Sequence, residues 1–98
     1  MDTINFLDVK SAERYAQMLK AVGHPIRLRI VDILSHGERS VGEMEDLCQA
    51  KQAIISQQLK TLRLTGLVAF ERRNGRTYYR LLETNLKELL VCLRKCRC

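Results

Sequence analysis

Proline occurs once in this 98-residue chain and glycine five times, and with 46% apolar and 29% charged residues this scarcity describes a folded protein and not a disordered tail. No apolar run approaches the roughly 20 residues that a membrane span needs. The opening MDTINFLDVK is acidic where a secretion leader would be basic and then apolar. A cytoplasmic protein without a membrane partner is therefore expected. Several marks of catalysis are also missing: the chain has no phosphate-cradling glycine loop, no nucleophile elbow, no paired-histidine motif and no Cys-x-x-Cys. It is not expected to be an enzyme. The length allows one hydrophobic core and not two, so residues 1–98 are expected to form a single domain. No internal repeat, linker or low-complexity segment divides it.

What is present is unevenly placed. Residues 1–50 hold six Lys/Arg against eight Asp/Glu, a net −2, whereas residues 51–98 hold eleven against three, a net +8. That asymmetry directs the second half toward a polyanion. Four cysteines stand at 48, 92, 96 and 98, three of them crowded at one end. Such a cluster could staple little of the chain, which favours thiols that bind soft metals or do redox chemistry.

Helical spacing of Ala12, Tyr15, Ala16, Leu19 and Val22 predicts a first helix over Ser11–Val22, stopped by Gly23. Pro25 opens a second, through Leu34, because proline lacks the amide hydrogen that a first-turn residue leaves unpaired anyway. This helix is apolar on most sides and is expected to be the buried centre. Ser40, with Glu43 three residues on, caps a short third helix over Val41–Cys48. A tight connection then leads to a fourth, Gln52–Leu64, with Ile55, Leu59 and Leu62 facing inward and Gly66 as its stop. The period next changes to that of strands: Leu67–Arg72 and Thr77–Leu81 flank Arg73-Asn74-Gly75-Arg76, and Asn-Gly supplies the positive-φ pair of a tight hairpin turn. Asn85, with Glu88, is expected to start a last helix running toward residue 98, with Leu86, Leu89, Leu90, Leu93 and Cys96 along one stripe.

The fold expected is mainly α with a small β-hairpin: a winged helix-turn-helix of five helices and a two-stranded wing. The helix pair spans about residues 41–64, the wing about 67–81, and a dimerising, sensing helix about 85–98. In that arrangement the second helix of the pair enters the major groove of duplex DNA and the wing touches a neighbouring groove or the backbone. Its outward residues are Lys51, Gln52, Ser56, Gln57, Lys60 and Arg63, a mixture of base-reading amides and a hydroxyl with phosphate-binding cations. Arg72, Arg73 and Arg76 surround the wing turn.

Leu19-Lys20-Ala21-Val22-Gly23-His24-Pro25-Ile26-Arg27-Leu28-Arg29-Ile30, Ser40-Val41-Gly42-Glu43, Ile55 to Arg63, Gly66-Leu67-Val68 and Gly75 to Leu81 together resemble the ArsR/SmtB family of bacterial repressors. The resemblance runs from about residue 11 to 98. It implies a homodimer built from the first and last helices, bound to a palindromic operator until an inducer releases it. It also implies DNA contacts at Gln52, Ser56 and Gln57, in agreement with the outward face. The cysteine pair of the family's arsenic and cadmium sensors falls at Ser40 and Gly42, so that site is absent. The Asp/His cluster of its zinc sensors falls near Glu83 and Asn85, with no histidine downstream. Similarity to the persulfide-sensing branch matches one of its two cysteines to Cys98 and the other to Asp32, so a sulfur bridge would have to recruit Cys92 or Cys96.

Cys92-x-x-x-Cys96-x-Cys98 remains as the sensing candidate. Positions i and i+4 share a helical face and a fraying terminus lets Cys98 swing back, so three thiolates could converge on one soft ion. Arg94, Lys95 and Arg97 place positive charge beside them. Arsenite or antimonite suits three sulfur ligands, while DNA binding itself needs no cofactor. Reactive sulfur or redox chemistry is the alternative inducer, and a constitutive DNA-binding module with incidental cysteines is the alternative of another class. Cys48, at an apolar core position, is expected to be structural, as are His24 beside the helix-opening proline and His36 in a loop.

Overall fold

A computed structural model describes residues 5–96. Its elements are α1 (Val9–Val22), α2 (Pro25–Leu34), β1 (Arg39–Ser40), α3 (Val41–Cys48), α4 (Gln52–Leu64), β2 (Val68–Arg73), β3 (Arg76–Leu81) and α5 (Leu86–Lys95). The expected architecture is present, with five helices and a small antiparallel sheet among the described residues. No helix there is long and apolar enough to cross a membrane.

Local chemistry explains most boundaries. Pro25 occupies the first turn of α2, and the Nδ1 of His24 accepts the Ile26 amide at 3.1 Å, so His24 is a helix cap. Ser40 and Glu43 form a full capping box on α3, with Glu43 N–H donating to Ser40 Oγ (3.2 Å) and Ser40 N–H to Glu43 Oε1 (3.0 Å). Asn74 and Gly75 both adopt positive φ (53° and 77°), the pair that a two-residue hairpin turn requires.

Several features differ from expectation: among them, β2 runs one residue later than Leu67–Arg72 and β3 starts one residue before Thr77. The sheet has three strands in the order β1-β3-β2, because the residues just before α3 pair with β3 (Arg39 with Tyr79, Ser40 with Tyr78). Two residues show no alternation, and their partners lie far along the chain. Helix α1 begins at Val9 and not Ser11, since Asp8 caps it by accepting the Ser11 amide at 3.1 Å. Helix α5 ends at Lys95, with Cys96 already extended (φ −69°, ψ 138°). Asn85 stands at the N-cap of α5 as expected but makes no side-chain cap; its backbone is helical, and tight turns at Glu83, Thr84 and Asn85 lead into the helix.

The core is built around α2 and α4. Ile30, Val31 and Leu34 of α2 meet Ile55, Leu59 and Leu62 of α4, with Met44, Cys48, Val68, Leu86 and Leu90 closing the sides. The apolar stripe of α1 lies mostly outside the core. Ala12, Tyr15, Ala16 and Leu19 lie exposed, while Ala21 and Val22 of the helix's last turn enter the core and Met18 packs against it. On α5, Val91 and Leu93 are likewise exposed while Leu86 and Leu90 are buried. The radius of gyration is 15.3 Å, larger than the roughly 13 Å of a compact chain of about 100 residues.

Leu59 is fully buried, so Leu59→Ala should destabilise the fold by about 2–5 kcal/mol in urea unfolding. Loss of less than about 1 kcal/mol would mean that the core is packed elsewhere. The Ser40 amide holds the Glu43 carboxyl below its ordinary value. A carboxylate lowered in the folded state stabilises above its unfolded pKa and loses that contribution as pH falls through the lowered value. Glu43→Ala should therefore cost stability at neutral pH and progressively less in acid, read from the urea midpoint.

Candidate nucleic-acid interface

The helix pair is held by α2 through two arginines. Arg29 donates to the carbonyls of Leu47 (2.9 Å) and Cys48 (3.1 Å), satisfying the open C-terminal end of α3. Arg27 donates to Ala21 O (2.5 Å) at the end of α1 and to Gln58 Oε1 (2.8 Å) on α4. Gln49 turns the chain out of α3 in the left-handed region (φ 54°), which carries it to α4 within three residues. Neither arginine's role was visible from spacing, because three of these four bonds join residues 18 or more positions apart.

Burial of Ile55, Leu59 and Leu62 sets the rotation of α4. The opposite face then carries Gln57 and Lys60, with Gln52, Ser56 and Arg63 on its flank, all exposed. Ala53 stands one turn before Gln57 on the same exposed face. Lys51 is the N-cap and provides no side-chain cap. Its carbonyl accepts from Ile54 and Ile55, both at 3.0 Å. The positive end of the helix dipole and the Lys51 charge therefore coincide.

The wing arginines differ among themselves. Arg72 and Arg76 are exposed and form no ion pair among the described residues. Arg73 is half-buried, paired with Glu38 and 3.4 Å from Glu71 Oε2, and its guanidinium lies 4.4 Å from the centre of the Tyr78 ring. Arg63, at the end of α4, stacks on Phe70 of β2 at 5.1 Å, and Phe70 in turn meets Tyr79 at 5.6 Å. This contact ties the recognition helix to the wing.

At the end of α5, Cys92 and Cys96 are exposed free thiols. Cys98 lies outside the described residues. No group of three or more His, Cys, Asp or Glu side chains suited to a metal ion occurs among the described residues. Arg94, between Cys92 and Cys96 in the sequence, pairs with Asp32 of α2 and lies 3.3 Å from His36 Nε2. Cys48 is buried, and burial pushes its thiol pKa up, as befits a core residue.

The family described as "Bacterial regulatory protein, arsR family" matches residues 24–69. The Biofilm growth-associated repressor of Xylella fastidiosa (strain Temecula1) is 40% identical over 84 residues, covering 86% of this chain and 74% of the relative. Among solved structures, the transcriptional repressor BigR from Xylella fastidiosa superposes with a TM-score of 0.85 at 39% identity, covering 91% of each chain. Reduced HlyU from Vibrio cholerae superposes at 0.82 and 31% identity, covering 91% of this chain and 94% of the other. A domain from Mycobacterium bovis described as a homodimeric winged helix-turn-helix DNA-binding domain superposes at 0.74 and 29% identity, covering 94% and 87%. The chain belongs to the arsR family of bacterial regulatory proteins, and it is a winged helix-turn-helix DNA-binding regulator of transcription, not an enzyme.

Proposed function

We propose that this chain is a homodimeric repressor acting in the cytoplasm, which reads a palindromic operator through α4, grips the neighbouring backbone through the wing, and lets go when a thiol-directed inducer engages the end of α5. The observation that carries the reading is the outward face of α4, centred on Gln57 and Lys60 and set beside an arginine-rich wing. Gln52, Ser56 and Gln57 are the base-reading candidates, since amides pair with adenine edges and hydroxyls with several bases. Lys51, Lys60, Arg63, Arg72 and Arg76 supply phosphate contacts.

The exposed stripe of α1 (Ala12, Tyr15, Ala16, Leu19), with Val91 and Leu93 of α5, supplies the dimer surface. Such a surface removes apolar area from water and sets two copies of α4 about 34–36 Å apart, one turn of duplex.

For the inducer, Cys92, Cys96 and Cys98 offer three sulfur ligands to a trivalent arsenic-like ion. Arg94 stands between the first two and links α5 to Asp32 of α2, and α2 holds both α3 and α4. Strain at the thiols therefore has a mechanical route to the recognition helix, provided the inducer binds the released state better. Oxidation by reactive sulfur is the second reading, favoured by the likeness to a regulator solved in a form described as reduced.

Gln57→Ala and Ser56→Ala should weaken operator binding by about 1–3 kcal/mol while leaving random DNA almost unaffected. Arg76→Ala should weaken both alike and lower the salt slope by about 1 per subunit. Equal losses on both DNAs for the helix variants would remove α4 from the reading role. Sedimentation at micromolar concentration should give a dimer, and Leu93→Glu a monomer whose operator affinity falls by about a hundredfold or more. A native monomer on a full palindrome would contradict the dimer. In a gel-shift, arsenite should release the native protein, whereas Cys92→Ser, Cys96→Ser and Cys98→Ser should bind DNA and ignore it. Release by polysulfide alone selects the second reading, and release by neither makes the module constitutive.

A further inference from the structure

Arg73 and Arg76 are register partners at the turn end of the hairpin, so two like charges stand directly opposite one another. Arg73 turns away from this repulsion. Its guanidinium crosses the central strand over the Tyr78 ring and meets Glu38, which immediately precedes β1 on the far side of β3. Nη2 donates to Glu38 Oε1, while Nη1 lies 3.4 Å from Glu38 Oε2 and 3.4 Å from Glu71 Oε2. Two carboxylates therefore surround one guanidinium, and the three groups sum to one negative charge.

We propose that Glu38 is an intramolecular stand-in for a DNA phosphate, an affinity-setting residue that holds Arg73 off the duplex and limits how many phosphates the wing can neutralise. This rests on the DNA-binding reading above. The forked donors that a guanidinium offers a carboxylate are the same ones it would offer a phosphate, so Arg73 cannot serve both at once. The pair is a latch and not a piece of the core: the two side chains keep 40% and 39% of their exposure, where an ion pair adds little to stability. Arg73 also holds the Glu38 carboxyl below its ordinary range, with Arg80 adding attraction, so the latch stays ionised at neutral pH. A phosphate contact strengthens binding to any duplex without reading its sequence. Withholding one cation per subunit thus weakens the grip on all DNA and leaves discrimination to α4.

The test uses the full chain and a random-sequence duplex of about 30 base pairs, long enough for two half-sites. Binding is followed by anisotropy over about 50–200 mM salt. Glu38→Gln should bind severalfold more tightly than the native protein, and its plot of log K against log salt should steepen by about 0.9 per subunit, the slope of one added phosphate contact. In an Arg73→Ala background the same change should leave the slope where Arg73→Ala alone puts it, which separates release of Arg73 from the simple gain of charge. An unchanged slope for Glu38→Gln, or weaker binding, would overturn the latch and make the pair a brace of the wing. Failure of the native protein and every variant to bind at the lowest salt would instead overturn the DNA-binding reading, and the latch with it.

Discussion

Burial of Ile55, Leu59 and Leu62 against α2 is the constraint from which the functional surface follows. Three apolar side chains at helical spacing leave α4 one rotation that removes them all from water. That rotation turns Gln57 and Lys60 outward. The arginines of α2 then fix where α4 lies: Arg29 closes the end of α3, and Arg27 holds Gln58 and the end of α1 together. A largely apolar helix, buried along Ile30, Val31 and Leu34, thus acts as the frame on which a polar reading surface is mounted. The same frame reaches α5 through Asp32 and Arg94.

Charge and shape divide the labour. The basic half of the chain contains α4 and the wing, but its cations are not equivalent once folded. Arg63 stacks on Phe70, Arg73 is drawn onto Glu38, and Arg72 and Arg76 remain exposed. Apolar residues are divided as well. Those of α2 and α4 close the core, while the stripe of α1 and part of α5 stay outside it. A formal count of charges or of apolar residues cannot show this division, which depends on partners brought together by the fold.

Much of the fold was legible in the sequence for identifiable reasons. Helices α2, α3 and α4 announce themselves through proline at a first turn, a capping box and a clean apolar period, and Asn74-Gly75 marks the hairpin turn. Each of these signals is local. Strand β1 escaped because two residues carry no period, and their pairing with β3 is a long-range event. The stripe on α1 was recognised, but periodicity tells only that a face is apolar, not what covers it. The same limit applies to the candidate site. The exposed residues of α4 followed from its buried face, whereas Arg73 with Glu38 and Arg94 with Asp32 are separated by 35 and 62 positions. At the thiols, helical spacing carried Cys96 into a helix that ends one residue earlier, and Cys98 lies outside the described residues.

The central claim is that two outward α4 faces, one from each subunit, read one side of a duplex. Hydroxyl-radical footprinting on DNA carrying the operator tests it most directly. The account predicts two protected patches on the same side of the helix, centred about 10–10.5 base pairs apart or a multiple of that, with weaker protection beyond each where the wings reach. A single protected patch at saturation, or protection spread evenly along the duplex, would contradict it.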